Sequence, residues 1–112
     1  MLIVDDQVEF RLRVRELLEG DGFVVVGEAA DVLQALQLGA ELQPEVVLID
    51  VRLPDGSGVE VASAMRAWSP RPVVVLTSTA DYSHVVRDCG ASGFLPKGRI
   101  SGPTFRAAID AT

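Results

Sequence analysis

Short apolar runs rich in β-branched residues alternate along the chain with stretches of helical periodicity. Five such runs have the length and composition of strands. They cover residues 2–4, 23–26, 46–49, 73–76 and 93–96. The third and fourth runs show no alternation with polar residues, as expected for strands covered on both faces of a parallel sheet. The pattern therefore predicts that the sheet forms the core.

The stretches between the predicted strands carry apolar residues three and four positions apart, which is typical of amphipathic helices. In the first two helices these stripes are Phe10, Val14, Leu17 and Leu18, and then Val32, Ala35, Leu36, Gly39 and Ala40. A third helix is predicted over residues 58–68, a fourth over residues 82–89, and a fifth from a Ser101 cap toward Thr112. Asp6 and Asp31 occupy N-cap positions of the first two helices.

Strands interleaved with helices predict one α/β domain over residues 1–112, doubly wound, with right-handed crossovers. The single cysteine allows no internal disulfide, and no apolar run is long enough to span a bilayer, so we expect a cytoplasmic protein. The net charge of -6 argues against nucleic acid binding by this domain, because attraction to phosphates needs a basic face. Proteins and cations are the expected partners.

Polar residues with reactive side chains follow four of the five predicted strands. They are Asp5 and Asp6 after the first, Asp50 after the third, Thr77 and Ser78 after the fourth, and Lys97 after the fifth. In doubly wound folds, ligands bind at the carboxyl ends of the strands, near the point where the strand order reverses. We therefore expect three carboxylates, a hydroxyl and an ammonium group to converge at one edge of the sheet.

Three convergent carboxylates repel one another, so the predicted cluster needs a cation. Mg²⁺ suits it, because this ion prefers hard oxygen ligands from one or two carboxylates, waters and a phosphate. The single histidine and single cysteine lie elsewhere, which leaves zinc without ligands. An aspartate beside such a metal can attack phosphorus and form an aspartyl phosphate. Lys97 and Thr77 would hold the phosphoryl oxygens.

Five segments of the chain, in this order, resemble the receiver domains of two-component response regulators. They are IVDD at 3–6, VLID at 47–50, LPDGSG at 53–58, VLTS at 75–78 and GASGFLPK at 90–97. Each segment is weak evidence alone, but together they cover essentially the whole chain at the family's spacing. The resemblance implies a flavodoxin-like, CheY-like fold with five helices around a five-stranded parallel sheet in the order 2-1-3-4-5.

The resemblance also implies a function. A receiver accepts a phosphoryl group from the phosphohistidine of a sensor histidine kinase, or from a phosphotransfer protein, in a phosphorelay. Phosphorylation would switch an output face that controls an effector domain or transcription. Such a protein is a signalling switch that catalyses only its own phosphorylation and dephosphorylation, not an enzyme acting on separate substrates.

By the same resemblance, Asp50 is the phosphoacceptor, and Asp5, Asp6, Asp50 and the backbone carbonyl of Arg52 arrange Mg²⁺. Thr77 and Lys97 contact the phosphoryl group, together with the backbone N–H of Ser78. Phe94 turns inward as Thr77 moves, which changes the face formed by the fourth helix, fifth strand and fifth helix. Homodimerisation through that face is the family expectation.

Several alternatives stay open at this point. Asp6 is both a candidate helix cap and a candidate metal ligand, and Phe94 is alternatively a core residue. A metal-dependent phosphatase is disfavoured, because Asp50-Val51-Arg52 lacks the Asp-x-Asp pattern of aspartate-based phosphatases. A degenerate receiver that only docks or dimerises is disfavoured by the presence of all the expected site residues. A further hypothesis is that the Arg52 side chain folds over the phosphoryl group and hinders hydrolysis.

Overall fold

The computed structural model describes residues 1–111. The last helix, predicted to run to the end of the chain, instead ends at Ile109, with Asp110 as its C-cap. Five parallel strands form one sheet in the order β2-β1-β3-β6-β7. These are β1 Leu2–Val4, β2 Gly27–Ala29, β3 Val46–Asp50, β6 Val73–Ser78 and β7 Gly93–Pro96. The predicted order 2-1-3-4-5 is confirmed, because β4 Arg52–Leu53 and β5 Gly56–Ser57 form only a small antiparallel pair outside the sheet.

Helices cover both faces of the sheet. They are α1 Val8–Gly20, α2 Val32–Leu42, α3 Gly58–Met65, α4 Val86–Cys89 and α5 Gly102–Ile109, with 3-10 turns at Ser83–Val85 and Lys97–Arg99. Ile3, Leu48 and Val75 pack in a buried cluster with residues of α1 and α5. The alternate strand residues pack in a second cluster with α2, α3 and α4. Both faces are buried because side chains alternate along each strand, which confirms the doubly wound prediction.

The predicted second strand at residues 23–26 is wrong, because the pairing with β1 begins at Gly27, opposite Leu2. The apolar residues before it have a different role. Phe23 packs edge to face on Phe105 of α5, with ring centroids 5.1 Å apart, and Val25 is buried in the same cluster. Packing against helices therefore explains their apolar character, and the strand itself is less apolar than the segment that precedes it.

Two of the three predicted helix caps are confirmed, but one cap and several helix ends differ from the predictions. Asp6 is not the N-cap of α1, because the helix begins at Val8 after Gln7, whose side chain makes no capping bond. Asp31 is the N-cap of α2 as predicted, and its side chain accepts from the Gln34 N–H. The third helix ends at Met65 instead of residue 68, and the fourth is α-helical only over Val86–Cys89. The Ser101 cap of α5 is confirmed.

Candidate functional site

The register of the sheet brings the polar residues at the strand ends together. Asp50 and Thr77 are direct partners in the pairing of β3 with β6. Asp5 follows β1, whose last residue, Val4, pairs with Ile49 beside Asp50. Lys97 follows β7 directly. All four side chains therefore lie at the carboxyl edge of the sheet, near the point where the strand order reverses, since β1 has β2 on one side and β3 on the other.

An ammonium group lies between the two buried carboxylates of this edge. Lys97 Nζ is 2.7 Å from Asp5 Oδ2 and 2.9 Å from Asp50 Oδ2. Burial raises the pKa of Asp50, and the nearby charge of Asp5 adds to this, while bonds from Lys97 and from the Arg52 backbone oppose it. Partial burial by itself would lower the pKa of Lys97, but its bonds to Asp5 and Asp50 raise it instead. Lys97 is therefore charged at neutral pH.

Asp5, Asp6 and Asp50 each offer a carboxylate oxygen, and these oxygens all lie within 4.8 Å of one another. Asp5 and Asp50 are buried, whereas Asp6 is exposed to solvent. A set of hard oxygen donors at this spacing, with one side open to water, fits a Mg²⁺ ion. It is the one group of three or more potential metal ligands found among residues 1–111.

The hydroxyl of Thr77 is fully buried, and it has no hydrogen-bond partner among the described residues. A buried hydroxyl without a partner costs free energy, so it marks a place where a ligand atom can be accommodated. Since Thr77 is the register partner of Asp50, an oxygen attached to the Asp50 carboxylate could accept this hydrogen bond. The remaining predicted contact, Ser78, is also buried at the end of β6.

The backbone around Asp5 is held by a charged network that the sequence did not reveal. The Arg11 guanidinium donates to the Asp5 carbonyl oxygen at 2.6 Å and to Glu28 at 2.9 Å, and Arg15 donates to Glu28 at 2.8 Å. The bonds from Arg15 and Arg11 lower the pKa of Glu28 despite its partial burial. Gln7 N–H donates to Asp5 Oδ1. Glu28 lies in β2, outside the strand predicted at residues 23–26, so the sequence offers no reason to place it beside Asp5.

The loop after Asp50 turns back on itself so that helix α3 begins against strand β3. Arg52 N–H donates to Asp50 Oδ1 at 3.1 Å, and Gly58 N–H donates to the Val51 carbonyl at 2.9 Å. A β-carbon on Gly58 would collide with the carbonyl group of Asp50. The glycine eight residues after Asp50 is thus a requirement of close backbone approach.

We expect Gly58→Ala to lower the free energy of unfolding by about 1–3 kcal/mol, because backbone on both sides must shift to admit a methyl group. Equilibrium denaturation measures this change. Gly20→Ala is the matched control, since a β-carbon at Gly20, the last residue of α1, meets nothing within 4 Å. Equal stability of the two variants would contradict the close approach at Gly58.

Asp55 connects the same loop to helix α2. Its two carboxylate oxygens accept the N–H groups of Val32 and Leu33 at 2.8 and 3.1 Å. These are the first residues of α2, whose amino end has unpaired N–H groups that favour a negative charge. The bonds, that from Val32 above all, lower the pKa of Asp55.

Because the pKa of Asp55 is lower in the folded state, its contribution to stability is present above the unfolded pKa and is lost as the pH falls through the folded value. We expect Asp55→Ala to lower Tm at pH 7, with the difference from wild type shrinking below pH of about 4. Asp110→Ala, which removes an exposed aspartate at the end of α5, is the control. Thermal denaturation across pH gives the answer, and a pH-independent difference would contradict this account.

The side chains of Arg52 and Phe94 lie at the rim of the site. Arg52 Nε donates to the Tyr82 hydroxyl at 3.2 Å, so its guanidinium is directed toward the segment before α4. Phe94 is half-buried on β7, where it packs against the cluster of α2, α3 and α4. It also lines a surface groove with Thr79, Ala80 and Pro96. Both side chains thus contact residues in or near α4: Arg52 contacts Tyr82, and Phe94 packs in the cluster that contains Cys89.

Comparison with known proteins shows which family this chain resembles. The family model described as "Response regulator receiver domain" matches residues 1–109. The transcriptional regulatory protein PdtaR of Mycobacterium tuberculosis is 35% identical over 99 residues, which cover 87% of this chain and 48% of PdtaR. The chain thus spans about half the length of the curated relatives that it matches.

Two solved structures share the fold over nearly the whole chain. The receiver domain of the putative response regulator NarL from Mycobacterium tuberculosis has a TM-score of 0.85 and 33% identity, covering 97% of this chain and 94% of that one. The beryllofluoride-activated NtrC4 receiver domain dimer has a TM-score of 0.80 and 29% identity, covering 96% of this chain and 90% of that one.

Proposed function

Because the chain belongs to the response regulator receiver domain family and thus to phosphorylation-based two-component signalling, we propose that Asp50 is the residue that accepts the phosphoryl group. The observation that carries this assignment is the surroundings of its carboxylate. Lys97 Nζ lies 2.9 Å from Asp50 Oδ2. Thr77, which pairs with Asp50 across the two strands, has a buried hydroxyl without a hydrogen-bond partner among the described residues. A phosphoryl group on Asp50 would find a charge and a hydrogen-bond donor already in place.

In the proposed reaction, a carboxylate oxygen of Asp50 attacks the phosphorus of a phosphohistidine. The oxygen–phosphorus bond forms, the phosphorus–nitrogen bond breaks, and the imidazole nitrogen keeps the electron pair. Lys97 and Thr77 bind phosphoryl oxygens, and the buried Ser78 lies where its backbone N–H can reach the same group. Most of the catalysis is positioning and charge stabilisation.

Asp5, Asp6, Asp50 and the backbone carbonyl of Arg52 would hold a Mg²⁺ ion, and the closely spaced carboxylates support this proposal. Bound Mg²⁺ would neutralise charge on the phosphoryl group during transfer. The protein's own part is to keep the carboxylates oriented. Gln7 N–H and Lys97 hold the two oxygens of Asp5, and Arg11 holds its backbone carbonyl.

The proposed output follows from the neighbourhood of Thr77. If its hydroxyl moves toward the phosphoryl group, the space beside β6 changes, and Phe94, which pairs with Leu76 in register, can turn inward. The face of α4, β7 and α5 would then change shape. A homodimer through this face is part of the proposal, and the NtrC4 receiver is described as a dimer in its beryllofluoride-activated form.

The proposed partners are a sensor histidine kinase or a phosphotransfer protein, in the cytoplasm. The relative PdtaR is named a transcriptional regulatory protein, which supports an output in transcription. With its net charge of -6, this domain would not itself bind DNA. No helix among residues 1–111 combines the length and apolar character that a bilayer span requires.

Incubation with acetyl phosphate and Mg²⁺, followed by intact-mass measurement, tests the proposal. We expect a gain of one phosphate that requires Mg²⁺, is prevented by a chelator, and is removed by hydroxylamine because the product is an acyl phosphate. Rapid turnover of acetyl phosphate without retained phosphate would favour the phosphatase alternative. Inertness would favour a docking module that never accepts phosphate. Either of the last two results contradicts the proposed function.

A further inference from the structure

An aromatic ring lies against the active-site lysine. The ammonium nitrogen of Lys97 is over the ring of Phe10, 4.3 Å from its centroid. Attraction between a cation and the face of a ring is significant within about 6 Å. A second cation, Arg13, is farther from this ring at 5.8 Å, so Lys97 makes the closer contact.

Phe10 is held in place by packing in the core, whereas Lys97 is held by polar contacts at the end of its side chain. It lies in the first turn of α1, five residues after Asp5, and is only 5% exposed within the cluster of α1, α5 and the sheet. Lys97 reaches the site on a flexible four-carbon stem from a short 3-10 turn. The ring is therefore fixed by packing, whereas the position of the Lys97 ammonium depends on its contacts with Asp5, Asp50 and the ring.

The contacts of Lys97 change when Asp50 is phosphorylated. Before transfer, the ammonium group contacts Asp5, Asp50 and the Phe10 ring. Phosphorylation converts the Asp50 carboxylate into an acyl phosphate, so that this ion pair must be exchanged for one with phosphoryl oxygens. Asp5 and the Phe10 ring are unchanged by the reaction. They can keep the ammonium within reach of the new group while the third contact is exchanged.

We propose that Phe10 is a positioning residue for phosphoryl transfer: its ring holds the Lys97 ammonium at the Asp5–Asp50 carboxylates and excludes water from one side of it. This inference rests on the proposed function, because the role matters only if Lys97 serves the transfer to Asp50. Phe10 touches no reacting atom. Its effect comes from reducing the positions that Lys97 can occupy, which favours the productive one.

The contact can be observed without metal or phosphate, because Lys97 is the only lysine in the chain. Protein grown with labelled lysine should therefore give one set of side-chain NMR signals. We expect the ε-methylene protons to be shifted upfield by the ring current and to show an Overhauser contact with the Phe10 ring protons. Phe10→Tyr should keep the shift, and Phe10→Leu should abolish it. An unshifted signal in wild type overturns the proposal.

Phe105→Leu is the matched control for damage to the core. Phe105 lies in the same cluster and is fully buried, but its described ring contact is with Phe23 and not with Lys97. We expect this variant to lose stability while keeping the shifted lysine signal. If Phe105→Leu moves the signal as much as Phe10→Leu does, the effect is general loosening and the proposal is overturned.

The rate of phosphorylation by acetyl phosphate with Mg²⁺ gives the functional test. We expect Phe10→Leu to slow it by about 2- to 10-fold, the range expected of one cation–ring contact, and Phe10→Tyr to restore most of it. In a Lys97→Met background, Phe10→Leu should cause no further loss. Equal losses in both backgrounds, or an unchanged rate, overturn the role of Phe10. Wild-type protein that takes no phosphate contradicts the proposed function itself, a result distinct from either of these.

Discussion

Asp50→Asn is expected to abolish the gain of phosphate from acetyl phosphate and Mg²⁺, because the amide lacks the anionic oxygen that attacks phosphorus. Intact-mass spectra of wild type and variant, taken after identical incubations, measure this loss. Asp55→Asn is the matched control, since Asp55 lies five residues away and its carboxylate binds N–H groups of α2. We expect that variant to take one phosphate as wild type does.

Unfolding is not the expected cause of the loss at Asp50. Burial raises the pKa of this carboxyl group, which means that its charged form costs more free energy in the folded protein than in the unfolded chain. An uncharged amide removes that penalty, although it also weakens the contact with Lys97. We therefore expect a Tm at least as high as that of wild type. Phosphate incorporation by Asp50→Asn at the wild-type level would show that another residue is the acceptor.

Lys97→Met is expected to slow phosphorylation by about 10²-fold or more, the usual effect of removing one preorganised charge from a transition state. Lys97 is mostly buried, with only 13% of its side chain exposed, so solvent cannot replace it readily. Arg99→Met is the matched control, because it removes an exposed cation from the same 3-10 turn. Initial rates at equal acetyl phosphate and Mg²⁺ concentrations measure both variants.

Lys97→Arg is the sharper companion variant. The site holds a compact ammonium between two carboxylates and a ring, whereas a guanidinium is planar, larger and differently hydrated. We expect arginine to restore less than a tenth of the wild-type rate, a loss of roughly 1.4 kcal/mol or more. A rate equal to wild type would show that positive charge alone is sufficient and that the close fit around Lys97 has no role.

Four of the five predicted strands are present in the sheet, but the second is predicted at residues 23–26 and lies instead at Gly27–Ala29. The fourth strand is predicted over residues 73–76 from its own composition, and the observed strand, Val73–Ser78, contains this run and is buried on both faces. Phe23 and Val25 are apolar because they pack near α5, while the strand beside them, Gly27–Ala29, is only partly apolar. Apolar character reports burial, and burial against a helix looks the same in sequence as burial in a sheet.

The sequence by itself determined the alternation of strands and helices and the reactive residues at the strand ends, because both depend on spacing along the chain. Only the tertiary structure decided that Asp50 lies in register with Thr77, that Lys97 reaches both Asp5 and Asp50, and that Phe10 lies against Lys97. Such contacts depend on how strands and helices pack across the fold. The strand pattern predicts that residues 5 and 97 lie at the same edge of the sheet, but the direct contact between their side chains depends on register and packing, which no local pattern encodes.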